Sequence, residues 1–268
     1  MDTPNVELVT VTPELAHEWL GFNTHNRPVR FRAVAAYAAD MTEGNWRWNG
    51  DTVKFAEDGT LLDGQHRLAA VIEAGQAIDM LVVRGLENES QETMDGGAKR
   101  KFSDVLQLRG EANYITLAAI ARRVATWESG DRRSSKSYTP TNPQLLQVLE
   151  KYPWLREVAA SANLVASRCA LPASIIGLCW WVFSQIDAED AEHFFGRLAD
   201  DQHQAKGNPV YELRRAAANS KSVRGQRSET YLTAITIKAW NAYRDGAEVG
   251  LLRFKPGGAK PETFPEPR

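Results

Sequence analysis

Residues 58–67 of this 268-residue chain, Asp58-Gly59-Thr60-Leu61-Leu62-Asp63-Gly64-Gln65-His66-Arg67, gather polar groups whose types and spacing can do chemistry. A strand that runs through a glycine into a helix is a physical recipe for holding an anion. First-turn backbone N–H groups lack intrahelical partners, and the helix dipole favours negative charge there. Gly64 removes the side chain that would block approach, and Gln65, His66 and Arg67 carry the first-turn N–H groups. Arg67 can donate a two-pronged hydrogen bond to phosphate oxygens. His66 can donate to the same group or shuttle a proton, while Asp63 can cap the helix, hold a metal ion or orient a hydroxyl. The alternative is a purely structural turn in which His66 packs and Arg67 pairs with Glu43 or Asp51.

The surrounding elements must position these groups. Val6 to Val11 alternates apolar and polar residues as a half-buried strand does, and Thr12-Pro13-Glu14 then opens a helix with Thr12 as N-cap. After a loop, Phe31, Val34, Ala35, Ala38 and Met41 share one helical face that Gly44 ends. Thr52 to Phe55 and Thr60 to Leu62 read as a hairpin closed at Glu57-Asp58-Gly59. Its return strand enters the motif, a helix carrying Leu68, Ala69, Val71 and Ile72 follows and stops at Gly75, and Ile78 to Val83 is a further strand. Glu89 to Leu108 reads as helical with a break at Gly96-Gly97.

From Asn113 onward the helical period dominates. Helices are expected over 115–127, 143–150, 153–166, 172–186, 188–199, 209–219 and 228–245, with a short strand at Leu251 to Phe254. The segment 256–268, with four prolines, reads as an extended tail. Trp180, Trp181 and Trp240 read as core anchors.

Composition narrows the classes of function. Hydrophobic residues at 43% and charged residues at 25% fit an ordinary globular protein. No apolar run approaches the roughly 20 residues of a spanning helix, so a cytoplasmic protein without a membrane partner is expected. Cys169 and Cys179 are too few for a disulfide scaffold or a four-cysteine zinc site. Net charge is −2, but residues 1–110 hold 11 Lys/Arg against 17 Asp/Glu, and residues 111–268 hold 21 against 17. Polyanion contact is therefore expected in the C-terminal half, where Arg214, Arg215, Lys221, Arg224 and Arg227 are candidate DNA-backbone ligands. A second basic stretch runs from Arg122 to Lys136. No dense acidic cluster suited to two-metal cleavage is visible, which argues against a nuclease.

The string Asp63-Gly64-Gln65-His66-Arg67-Leu68-Ala69-Ala70 resembles the DGQHR-type members of the ParB/sulfiredoxin superfamily, and the resemblance covers about residues 5–110. It implies an α+β chain: a ParB/sulfiredoxin-like N-terminal domain with a small mixed sheet (1–110), a mostly α-helical domain (111–255) and the tail (256–268). It also implies that the turn contacts nucleotide phosphates, with ATP, ADP or CTP and Mg2+ as cofactors, in a phage or mobile-element setting. Sulfinic-acid repair is set aside, since that chemistry requires a cysteine where Gln65 stands. By the same resemblance Asp95 is a metal ligand, Arg100 a phosphate ligand, and Glu14 or Glu18 a base. Arg27 and Arg30, in a loop similar to an N-P-R loop, would complete the anion pocket.

The expected function is nucleotide binding with phosphoryl transfer or NTP hydrolysis linked to DNA metabolism or modification, as in a ParB-like hydrolase or kinase. The alternative is a DNA-binding partition or regulatory protein in which the N-terminal domain is a nucleotide switch or a non-catalytic module. Expected partners are a nucleotide and DNA along the helical half, with a homo-oligomer left open.

Overall fold

The computed structural model describes residues 4–24, 26, 28–94, 100–132, 138–200, 205–220, 228–257 and 260–268. The chain is α+β and mostly helical, with one four-stranded mixed sheet and, among the described residues, eleven α-helices. It divides into two compact units, Met1–Lys99 and Arg100–Arg268.

In the first unit, β1 (Asn5–Val11) leads into α1 (Pro13–Leu20), where the Thr12 hydroxyl accepts from the Leu15 N–H at 3.2 Å, forming the cap anticipated from its sequence. Next come α2 (Phe31–Thr42), β2 (Thr52–Ala56), β3 (Leu61–Asp63), α3 (Gln65–Ala74) and β4 (Ile78–Leu86), then a 3-10 helix, Asn88–Thr93. The sheet order is β1-β4-β2-β3. β1 and β3 are antiparallel to their neighbours, and β2 runs parallel to β4 with Val53 opposite Val82. A parallel pair needs a crossover, and β3 with α3 supplies it. The core joins Val53, Phe55, Met80 and Val82 of the sheet to Ala16 and Trp19, to Val34, Ala38 and Met41, and to Leu68 and Val71 of the helices. The expected buried face of α2 holds at these last three positions but not at Phe31, which is 83% exposed, or Ala35, also exposed. Phe31 is the first residue of its helix, where among the described residues the stripe is left uncovered.

The second unit contains α4 (Phe102–Leu108), α5 (Tyr114–Glu128), α6 (Asn142–Lys151), α7 (Leu155–Ala166), α8 (Ala173–Ser184), α9 (Ala188–Ala199), α10 (Pro209–Ser220) and α11 (Glu229–Arg244). Its centre is α8, apolar on all sides as a fully surrounded helix must be. A Cβ on Gly177 would lie 2.2 Å from Ile120 Cδ1, so glycine permits the close approach of α8 to α5. Phe183 stacks on Trp240 at 4.4 Å between centroids, and Phe194 meets Trp240 edge-on at 5.7 Å. Cys179 is buried here, and burial pushes its thiol up to about 12.

The strand expected at Leu251 to Phe254 is absent: Leu252 and Phe254 insert into the helical core, but the segment pairs with no other strand among the described residues. Alternating burial on a helix surface produced the strand-like pattern. Among its described residues the tail has no helix or strand but is packed, with Phe264 buried against Phe254 and Trp127 and the Arg268 carbonyl accepting from Trp240 Nε1 at 3.1 Å. No helix among the described residues is long and apolar enough to cross a membrane.

Candidate functional site

The β2–β3 hairpin delivers the motif. Ala56 N–H donates to the Thr60 carbonyl at 2.9 Å, and the Asp58 carboxylate accepts from Thr60 N–H at 2.9 Å and Asn88 Nδ2 at 3.1 Å. The Thr60 N–H, then the Thr60 hydroxyl and Asn88, hold the Asp58 carboxyl below its ordinary value. The chain then turns at Gly64, with φ 110° and ψ −2°. A Cβ there would sit 3.1 Å from both Val53 methyls and 3.2 Å from Val53 Cα, so conformation and packing both demand glycine. Gly64 is the N-cap of α3, displacing the expected Asp63 cap: Asp63 Oδ1 accepts from the Gly64 N–H at 2.7 Å, one residue ahead of the helix.

Two motif residues face β2. Asp63 Oδ2 accepts from Lys54 Nζ at 2.8 Å and from Arg67 Nη2 at 3.1 Å. Arg67 Nη2 also donates to the Thr52 carbonyl at 2.7 Å, and Nη1 lies 3.5 Å from Asp51. Of the two pairings considered for a structural turn, the one with Asp51 is formed. Burial raises the Asp63 carboxyl, yet the Lys54 hydrogen bond and the Arg67 charge outweigh it and leave the group below its ordinary value. The Arg67 side chain is only 14% exposed. It borders a cavity of about 20 Å³ shared with Trp46, Asp51 and Met80, room for a single water rather than a nucleotide. With two cations on its carboxylate, Asp63 does not fit a Mg2+ ligand. No group of three or more His, Cys, Asp or Glu suited to a metal ion occurs among the described residues.

Gln65 and His66 face the loop that follows α1. Gln65 is 4% exposed, and its Oε1 accepts from Asn23 Nδ2 at 3.0 Å. Asn26 Nδ2 donates to Asn23 Oδ1 and to the Leu61 carbonyl, both at 2.7 Å. Gln91 Nε2 donates to Asn26 Oδ1 and to the Leu62 carbonyl, both at 3.0 Å. His66 Nε2 accepts from the Arg30 backbone N–H at 3.0 Å, which assigns a neutral ring with its proton on Nδ1. His66 is half-buried and Arg30 exposed. Among the described residues no hydrogen bond or ion pair holds the Arg30 guanidinium, and the Arg30 backbone lies at the first turn of α3.

The structure therefore brings together Arg30, His66 and Gln65 on one side of the turn and Asp63 and Arg67 on the other. Sequence reasoning missed Asn23 and Gln91 and assigned no role to Asn26. Their only signal was an amide in each segment flanking the motif. Glu14 and Glu18 are exposed on α1, and the Glu14 backbone N–H, then the Thr12 hydroxyl, hold the Glu14 carboxyl low. Glu14 thus serves the start of its own helix. Arg100 is exposed at the beginning of the second unit. Arg214 directs its guanidinium to the carbonyls of Leu198 and, at 2.9 Å, Arg168, while Arg215 pairs with the buried Glu212 at 2.7 Å. Arg27, Asp95, Lys221, Arg224 and Arg227 lie outside the described residues.

No family model, curated protein or solved structure matches this chain.

Proposed function

We propose that the first unit is a ParB/sulfiredoxin-like nucleotide-binding module that takes a phosphate group of ATP, ADP or CTP at the N-terminus of α3. The backbone of Gln65 to Arg67 cradles the phosphate, Arg30 supplies the counter-charge, and His66 holds the Arg30 backbone to the turn. The observation that carries this reading is the 3.0 Å bond from Arg30 N–H to His66 Nε2, which ties a cationic residue to the first turn of the helix. Arg67 acts as a positioning residue, since its guanidinium is directed to Thr52, Asp51 and Asp63.

Binding has more support than phosphoryl transfer or hydrolysis. Asp63 is clasped by two cations, and the Glu14 carboxylate is held by its own backbone N–H and the Thr12 hydroxyl in the first turn of α1, so neither is placed as a general base. A switch or binding role linked to DNA metabolism follows, with any DNA contact falling to basic residues other than Arg214 and Arg215.

A thermal-shift panel of ATP, ADP, CTP and GTP with and without Mg2+ tests the reading. At least one of the first three is expected to raise the melting temperature, and to do so without Mg2+. No shift with any of them at millimolar concentration overturns it.

A further inference from the structure

A cavity of about 360 Å³ opens within the second unit, lined by residues that the α3 turn does not use. Ala119, Arg122, Arg123 and Thr126 fall at i, i+3, i+4 and i+7, a single stripe of α5. Tyr138, Thr139 and Pro140 come from the segment leading into α6, Ser174 from the first turn of α8, and Glu229 from the first position of α11. The volume falls within the range of small-molecule sites, about 300–1,000 Å³.

The charges and dipoles around this cavity favour an anion. Arg122 is exposed at its rim, and the Arg123 side chain, 12% exposed, reaches Glu229 at 2.6 Å. α8 begins after Pro172, which provides no side-chain cap, and among the described residues the N–H groups of Ala173 and Ser174 donate to no partner. Ser174, at the positive end of a 12-residue helix, therefore lines the same cavity as two arginines. Ala119, Pro140 and the Tyr138 ring give the same space an apolar side.

We infer that this cavity is a second ligand site, which takes a small organic phosphate. The phosphoryl group sits against Arg122, Arg123 and the first turn of α8, and the organic part packs on Ala119, Pro140 and Tyr138. Glu229 is the internal competitor: without ligand it neutralises Arg123, and a bound phosphate takes its place. The site belongs wholly to the second unit, so it stands or falls apart from the α3 turn.

Calorimetric titration of the full chain with AMP, ribose 5-phosphate and inorganic phosphate tests this, in an Arg30→Ala, His66→Ala background that silences the first unit. Arg122→Gln is expected to weaken both organic phosphates about tenfold by removing one charge-assisted contact. Glu229→Gln, which removes the competitor, is expected to tighten them about threefold. Arg122 is exposed, so Arg122→Gln keeps the parent melting temperature, whereas Glu229→Gln removes the partner of the nearly buried Arg123 and is expected to lower it until phosphate is added. The proposal is overturned if neither organic phosphate binds, or if both substitutions leave affinity unchanged. Inorganic phosphate binding as tightly as AMP also overturns it, because the apolar wall would then contribute nothing.

Discussion

In the first unit one connected set of amides surrounds a single turn, whereas in the second the polar side chains form several small separate clusters around an aromatic core, such as Glu128 with Lys151 and Tyr152 and Asn163 with Thr116 and Asn113. Asn23, Asn26, Gln65 and Gln91 are hydrogen-bonded to one another and to the carbonyls of Leu61 and Leu62, so the loop after α1 and the 3-10 helix are both fastened to the motif. In the second unit Phe183, Phe194, Trp240 and Tyr243 hold the helices by ring contacts, while Arg132 bonds the nearby Trp127 carbonyl and Arg214 the distant carbonyls of Leu198 and Arg168. The difference separates two uses of arginine that spacing alone cannot distinguish. Arg67 and Arg214 both stand where a phosphate ligand is expected, and both donate to the protein's own carbonyls.

Substitutions can break this comparison unit by unit. The largest effect is expected from Trp240→Ala: the side chain is fully buried among stacked rings, so its loss should destabilise the second unit by about 3–5 kcal/mol in urea unfolding. Arg67→Ala leaves Asp63 with one cation fewer and the Thr52 carbonyl without its donor. The expected loss in the first unit is about 2–3 kcal/mol, so this variant reports on folding before it reports on binding. Gly64→Ala places a methyl against Val53 at a positive φ, and should cost about 2 kcal/mol, seen as a lower melting temperature of the first unit. A smaller and pH-dependent effect belongs to Asp63. Its folded pKa lies below the ordinary 3.8, so its contribution is complete above that value and is lost as pH falls through it toward the folded pKa. Urea midpoints of the parent should therefore fall through this acid window, and Asp63→Asn should flatten part of that slope; an unchanged slope contradicts the ion pair.

Much of the architecture was legible because it rests on periodicity. The helices expected over 188–199 and 209–219 appear as Ala188–Ala199 and Pro209–Ser220, and the hairpin, its glycine turn and the stop at Gly75 fall where their residue types put them. The misreadings have physical causes. Leu251 to Phe254 alternates like a strand because it lies across a helical core, and Phe31 keeps the helical period at an exposed helix end. The candidate site was located but not oriented. Asp63-Gly64-Gln65-His66-Arg67 does form the turn and helix start, yet which face each side chain takes depends on Lys54, Asp51 and Asn23, partners brought in by tertiary pairing.

The most direct measurement is calorimetric titration of nucleotide into Arg30→Ala beside the parent. The account predicts affinity reduced about tenfold with an unchanged melting temperature, because the proposed site has the guanidinium contact the ligand and, among the described residues, it holds no part of the fold. Parent-like affinity in Arg30→Ala would contradict the central claim that the phosphate lies against Arg30 and the first turn of α3.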